Sequence, residues 1–275
     1  MSTPRTLELP EGVAEATIET DRGRFAAHVV RAADPVAHVL LIPGWTGSKE
    51  DFTPLLPLLA SIGFDATSYD QRGQFETPGT EHDDYSLAGF SSDAAAIADA
   101  CSPLPTHLLG HSFGGLVAQA AALEHTASWR TLSLLDSGPG ALGESAERPL
   151  GMFLKVLGKV PLIDIHHYRE NGVERPPAIS AFLERRFTSN TVASLKAMTQ
   201  HLLAAPDRIG GVRELHLPCW VGRGADDDAW PHDIQADMAR RLGVEIHVVP
   251  ESAHSPAVEN PHGLADAWFP FLLAN

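Results

Sequence analysis

The sequence predicts an α/β protein, a mostly parallel sheet covered by helices on both faces with a helical insertion late in the chain. Three observations carry that expectation. Short apolar, β-branched runs alternate with segments of helical period, the pattern of a sheet built through helical crossovers. A two-strand ribbon stands ahead of the alternation. From about Ser137 to Pro206 the strands stop while helical periodicity continues.

Ala14 to Thr20 and Arg24 to Arg31 flank Asp21-Arg22-Gly23 and read as an antiparallel hairpin. His38 to Ile42 (HVLLI) is apolar in the way a strand buried on both faces requires. Asp51 to Ile62 follows as a helix and Phe64 to Asp70 as a strand. Leu87 to Cys101 is an alanine-rich helix, Thr106 to Leu109 a strand, Phe113 to His125 a helix and Thr131 to Leu135 a strand. Beyond the break, Cys219 to Val221, Pro231 to Leu242, Glu245 to Val249 and Pro261 to Leu273 read strand, helix, strand, helix. The break opens with the turn-rich SGPGALGESAERP. It continues through GMFLKVLGKVPLIDIHHY, PAISAFLERRF and TVASLKAMTQHLLAA, divided at Pro161 and Pro176-Pro177, which a helix interior does not tolerate. A helical block between two strands sits above the strand ends as a lid. The chain therefore divides into a core segment 1–137, a cap 138–205 and a second core segment 206–275.

Length and charge narrow the function. A chain of 275 residues can bury a substantial core. Its 35 acidic and 20 basic residues leave a net charge of −15, against nucleic acid or an anionic membrane surface as partner, since both select basic proteins. The opening MSTPRTLELPEG lacks the apolar run of a secretory signal, and no segment is long enough to span a bilayer. Cys101 and Cys219 lie far apart without metal-ligand spacing. These features suggest a cytoplasmic protein with reduced thiols.

The chemistry concentrates where a strand ends and a helix begins. Gly110-His111-Ser112-Phe113-Gly114 is a G-x-S-x-G sequence in strand, turn, helix context, which presents a serine on a sharp elbow. Cβ atoms two residues either side of that serine would collide, so Gly110 and Gly114 are required. A serine hydroxyl needs a base, and the base an orienting acid. In parallel-sheet hydrolases both follow the serine, the acid before the histidine. His232, His247, His254 and His262 follow the carboxylates Asp226-Asp227-Asp228. His232 stays beside the acid's own loop, His247 lies within a strand, and His262 starts the last helix. His254, in the loop after the last strand, can reach across the strand ends. The oxyanion needs two N–H donors, worth about 3 kcal/mol each in well-studied cases. Phe113, after the serine, supplies one. The turn Pro43-Gly44-Trp45-Thr46-Gly47 offers the other, from Trp45.

With PGWTG, DQRGQ, GHSFGG, GADDDAWP and AHSPAVENP in this order, the chain resembles the α/β-hydrolase superfamily over nearly its whole length. The resemblance implies an eight-stranded sheet with the second strand antiparallel and a cap inserted after strand six. It also selects among the aspartates: the frame G-x-x-D-x-x-x-P, anchored at Gly224 and Pro231, gives Asp227. Asp226 is the alternative for a tighter loop and Asp136, after strand six, the third. Two departures alter the walls of the site. Pro43 stands where many members have His, and Gln74 to Thr77 break the pattern D-x-R-G-x-G-x-S. Asp70 and Arg72 are assigned to tying down their own loop.

The resulting expectation is a serine hydrolase that cleaves a carboxylic ester or related small acyl compound through Ser112, Asp227 and His254. Trp45 and Phe113 would hold the oxyanion, with neither metal nor organic cofactor. A thioesterase acting on a carrier- or CoA-linked chain, a C–C hydrolase, and a cofactor-free perhydrolase share the same residues; a non-catalytic ligand receptor is the alternative from another class. His166-His167-Tyr168 lacks a carboxylate at ligand spacing and is not assigned a metal. Met152, Phe153, Val156, Leu157, Leu162, Ile163, Phe182, Leu183 and Met198 suit either an acyl pocket or the cap's own core, the commoner fate of such a stripe.

Overall fold

The structure, a computed structural model, describes residues 2–275. Its centre is an eight-stranded sheet in the order β1-β2-β4-β3-β5-β6-β7-β8. The hairpin β1 (Val13–Thr20) and β2 (Gly23–Val30) leads into β3 (Ala37–Ile42), β4 (Phe64–Tyr69), β5 (Thr106–His111) and β6 (Trp129–Leu135). After the insertion come β7 (Cys219–Gly224) and β8 (Ile246–Val249). β2 runs antiparallel to both its neighbours, and every other pairing is parallel.

Period-two alternation places the core on both faces. Leu40 and Ile42 of β3, with Leu108 of β5 and Leu132 and Leu134 of β6, face one layer. Val39, Leu41, Leu109 and Leu135 face the other. The first layer is closed by α2 (Leu87–Cys101) and α3 (Phe113–Glu124), with α8 (Ile209–Glu214) and α9 (His232–Leu242). The second is closed by α1 (Leu56–Ser61) and α11 (Pro261–Ala274), which seats Leu264, Trp268 and Leu272 against the sheet. Each such large side chain withdrawn from water contributes about 1.5–3 kcal/mol. α2 is started by Ser86, whose hydroxyl accepts from Gly89 N at 3.0 Å.

Between β6 and β7 the chain forms α4 (Glu144–Val156), α5 (Leu162–Glu170), α6 (Pro177–Thr188) and α7 (Val192–Ala204). Prolines at 161, 176 and 177 set the starts of α5 and α6. These helices have their own core. Phe153, Val156, Leu157 and Leu162 pack with Phe187 and Leu195, while Phe182 and Leu183 pack with Phe75. Met198 joins the main core, and Met152 is exposed. The apolar stripes of the insert are thus mostly spent on packing.

Several elements differ from expectation for local reasons. The helix at 51–62 is split into a 3-10 turn, Lys49–Leu55, and the short α1, with Pro54 at the junction. β7 extends to Gly224, because Gly222 to Gly224 pair with His247 to Val249 despite their turn-like composition. The glycine pair in IGGVRE and the four-residue length of α10 (Pro256–Glu259) hid α8 and α10 from the periodicity. Cys101 and Cys219 are both free thiols.

The insert is tied to the core by a buried ion pair. Arg186 of α6 is fully buried, and its Nη1 donates to Asp51 Oδ1 at 2.9 Å while Nη2 donates to the Ser2 carbonyl at 2.5 Å. Removing one partner of such a pair leaves the other charge uncompensated. Arg186→Met should therefore lower the unfolding free energy in urea by about 3–5 kcal/mol; a loss below about 1 kcal/mol would show that the pair anchors nothing.

Candidate active site

Ser112 joins β5 to α3 at φ 55°, ψ −120°, a region that costs a non-glycine residue about 1–3 kcal/mol. The surroundings force it. A Cβ at Gly110 would stand 2.2 Å from the Gly114 carbonyl oxygen, and one at Gly114 would stand 2.3 Å from that of Ile42. The elbow is pinned by Ser112 N donating to Leu135 O at 2.9 Å and by Ser137 Oγ donating to Ser112 O at 2.8 Å. Phe113 opens α3, so its N–H is one of those a helix cannot satisfy internally.

The loops after β7 and β8 are laced together. Ala225 N donates to Val249 O at 2.9 Å and Asp226 N to Ser252 O at 3.0 Å. Gly224 lies so close that a Cβ there would meet Ala253 O at 1.8 Å. This contact turns Asp227 inward, while Asp226 and Asp228 remain exposed. Asp227 Oδ1 accepts from His254 Nδ1 at 2.8 Å and from Ala229 N at 2.9 Å, and Oδ2 accepts from Gln235 Nε2 at 2.7 Å. Burial pushes the Asp227 carboxyl up, but the hydrogen bond and charge of His254, with these N–H donors, hold it well below the usual carboxylate range. With Nδ1–H donating to Asp227, the neutral His254 ring carries its lone pair on Nε2.

The other histidines have other employment. His111 Nε2 lies 2.5 Å from the His254 carbonyl and donates to it; burial, then His254, push the His111 ring down to about 3, so it is neutral. His232 Nε2 donates to the Asp227 carbonyl at 2.9 Å. His247 stacks on Trp220, and His262 is exposed. His167 pairs with Glu184 at 3.0 Å, and His166 lies against the Phe187 ring.

Asp136 follows β6 at φ 45° and is fully buried. Its Oδ1 accepts from Gly224 N at 2.8 Å. Burial, then the negative charge of Asp227, raise its carboxyl well above the usual range, because two neighbouring carboxylates cannot both ionise. Once protonated, the Asp136 carboxyl can donate to Asp227, and its Oδ2 otherwise has no partner. The ligating atoms of Asp136, Asp227 and His254 lie within 4.8 Å of one another, and hydrogen bonding accounts for that cluster.

On the other side of Ser112, Gly44 to Gly47 form a turn closed by Gly47 N donating to Gly44 O at 3.0 Å, with Thr46 at φ 58°. Gly44 approaches closely enough that a Cβ would sit 3.0 Å from Ser112 Cβ. Two buried amides hold this turn from behind: Gln71 Nε2 donates to Pro43 O at 2.9 Å and Gln74 Nε2 to Gly44 O at 3.0 Å. Sequence reasoning missed both glutamines; the only hint was their place in a glycine-bearing loop after a buried strand. Asp70 binds Lys49 through its backbone N–H at 2.7 Å and its Nζ at 3.1 Å. Burial, opposed by Lys49, leaves the Asp70 carboxyl at about 7. Arg72 grips Asp93 of α2 with Nε at 2.8 Å and Nη2 at 2.7 Å. Asp70 and Arg72 thus fasten their loop to its neighbours rather than only to itself.

Ser112, His254 and Trp45 line one cavity of about 380 Å³, walled by Leu142, Leu150 and Leu202 of the inserted segment. The other face of α4 serves packing, so the pocket wall is formed by residues that the stripe reading passed over.

Three comparisons bear on this geometry. Residues 39–267 match the model of the Alpha/beta hydrolase family. The chain is 24% identical over 250 residues to the pimeloyl-[acyl-carrier protein] methyl ester esterase of Neisseria meningitidis serogroup B, covering 87% of this chain and 94% of that one. It is 35% identical over 99 residues to a protein named as a carbamate hydrolase from Variovorax paradoxus strain S110, an alignment spanning 36% of this chain and 37% of that relative. Among solved structures, an esterase from Exiguobacterium antarcticum superposes with a TM-score of 0.78 at 15% identity, covering 94% of this chain and all of that one, a likeness of fold.

The neutral state of Asp136 has a measurable sign. Its folded-state value lies above the unfolded one, so the carboxyl stabilises the fold below the ordinary carboxylate range and loses that contribution as pH rises. Asn at this position has no proton to lose. The stability of Asp136→Asn relative to wild type should increase as pH rises from about 4, the ordinary carboxylate value, in urea unfolding; a constant or falling difference contradicts the assignment.

Proposed function

The chain belongs to the alpha/beta hydrolase family, and on that premise we propose that it cleaves a carboxylic ester by way of an acyl-enzyme on Ser112. The observation that carries this reading is the buried Asp227 carboxylate, 2.8 Å from His254 Nδ1, behind a ring that shares a cavity with a serine on a strained elbow. Ser112 Oγ attacks the acyl carbon while His254 Nε2 takes the hydroxyl proton. The same nitrogen returns the proton to the leaving alkoxide. Water then attacks the acyl carbon as His254 Nε2 takes its proton, and His254 returns that proton to Ser112 Oγ as the acid leaves. Asp227 fixes the imidazole tautomer and stabilises its cation.

The oxyanion that forms at each addition faces the backbone N–H groups of Trp45 and Phe113. Both are set in advance, one by the glutamine-braced turn and the other by the start of α3, so little reorganisation accompanies the reaction. Residues 138–205 serve as the cap over this site. We place the enzyme in the cytoplasm with a small acyl compound as its substrate; no helix among the described residues is long and apolar enough to cross a membrane.

A fluorophosphonate probe should label the wild-type protein and fail to label Ser112→Ala, and short p-nitrophenyl esters should be turned over. Asp227→Asn should lower kcat about 10⁴-fold, whereas Asp226→Asn and Asp228→Asn should stay within a few-fold of wild type. Absence of labelling would sink the proposal, and a reversed order for the aspartates would move the orienting acid.

A further inference from the structure

Arg169, near the C-terminal end of α5, brings a guanidinium into the wall of the same cavity as Ser112 and His254. Aromatic faces hold it: its guanidinium carbon lies 5.2 Å from the Trp45 ring centroid, 5.2 Å from that of Phe187 and 5.9 Å from that of Phe153. Among the described residues no carboxylate pairs with it, and its buried Nη1 has no hydrogen-bond partner. The acid beside it in sequence, Glu170, is engaged by Arg175. The contrast with the fully buried cations is sharp. Lys49 is matched by Asp70, and Arg186 by Asp51. Trp45 Nε1 and Thr46 Oγ1, also in this wall, are likewise without a partner. Arg169 is half-buried, and leaving its enclosed Nη1 without an acceptor is costly unless something supplies one.

We infer that the cavity takes an acyl substrate bearing a carboxylate remote from the scissile bond, and that Arg169 binds this carboxylate. The inference rests on the ester-cleaving reading of Ser112. A planar guanidinium fork matches a carboxylate geometrically. With one unpaired cation among the described residues of the wall, a monoanion suits the site better than a doubly charged phosphate. The net charge of −15 does not oppose this, since exposed charges beyond about 8–10 Å are largely screened. Of the acids in the cavity wall away from the triad, Asp51 is neutralised by Arg186 and Asp228 is exposed.

The test measures binding first and turnover second. Linear dicarboxylic acid monomethyl esters of increasing length, and the matching neutral dimethyl esters, are titrated by calorimetry into Ser112→Ala protein, alone and with Arg169→Met or Arg169→Lys. At the best length the monoester should bind more tightly than the diester. Arg169→Met should lower the monoester-to-diester affinity ratio at least about 30-fold, and Arg169→Lys should restore part of it. Equal binding of the two esters at every length in the protein with native Arg169, or an unchanged ratio in Arg169→Met, would overturn the inference. The first of these needs no Arg169 variant to fold. The same ratio is then read as kcat/KM on the Ser112 enzyme. A protein that neither labels with fluorophosphonate nor turns over esters would refute the ester-cleaving reading, while the isotherms still decide whether the cavity selects a carboxylate.

Discussion

The site depends on how closely three strands and one helix approach each other where β5 ends. Gly110, Gly114 and Gly115 bring the start of α3 against the backbone of β3 and the side chain of Ser137, at separations no Cβ would fit. That approach forces Ser112 into its unfavourable conformation and brings the Gly44 turn alongside it. Among the described residues, six non-glycine residues have positive φ, and five of them lie in segments that follow the carboxyl ends of sheet strands: Thr46, Phe75, Ser112, Asp136 and Glu251. Strain of this kind persists only where the surroundings over-determine it. The sheet and its two packed layers provide that rigidity, and the loops spend it.

Electrostatics then divides the labour between two carboxyl groups. Asp227 receives an imidazole N–H, an amide and a backbone donor, and stays ionised. Asp136, a strand away, has one backbone donor on Oδ1 and a charged neighbour, and its burial and that neighbour favour the neutral form. The charge on Asp227 is one of the causes that favour the protonated form of Asp136. His111 completes the arrangement from the nucleophile's side by donating to the His254 carbonyl, which ties the serine loop directly to the histidine loop.

Much of this was legible in the sequence because the relevant signals are local. Strands buried on both faces, such as HVLLI, announce themselves by composition, and the elbow glycines by spacing. The choice of Asp227 followed from a frame of glycine and proline, and its burial is a consequence of the Gly224 contact with Ala253. What stayed hidden depends on tertiary neighbours. Nothing near Gln71 or Gln74 in sequence says that their amides face Pro43 and Gly44, some thirty residues back. Arg169 sits in an ordinary charged helix, and its isolation from acids exists only once α5 folds over Trp45. The neutrality of Asp136 likewise needs a neighbour 91 positions away.

The two roots of the insert carry a mechanical consequence. Gly138 is wedged under the Trp230 indole, and its carbonyl is held by Gln119 Nε2 at 2.8 Å. Ala141 N and Leu142 N bind the carbonyls of Ala205 and Leu202 at 3.0 and 2.9 Å, and Arg208 N binds that of Pro139 at 3.1 Å. The outgoing and returning chains are thus stitched together just above the sheet. The first backbone beyond the stitching is Gly143, at φ +93°. The stitching therefore holds Leu142 and Trp230, two residues of the cavity wall, against the core.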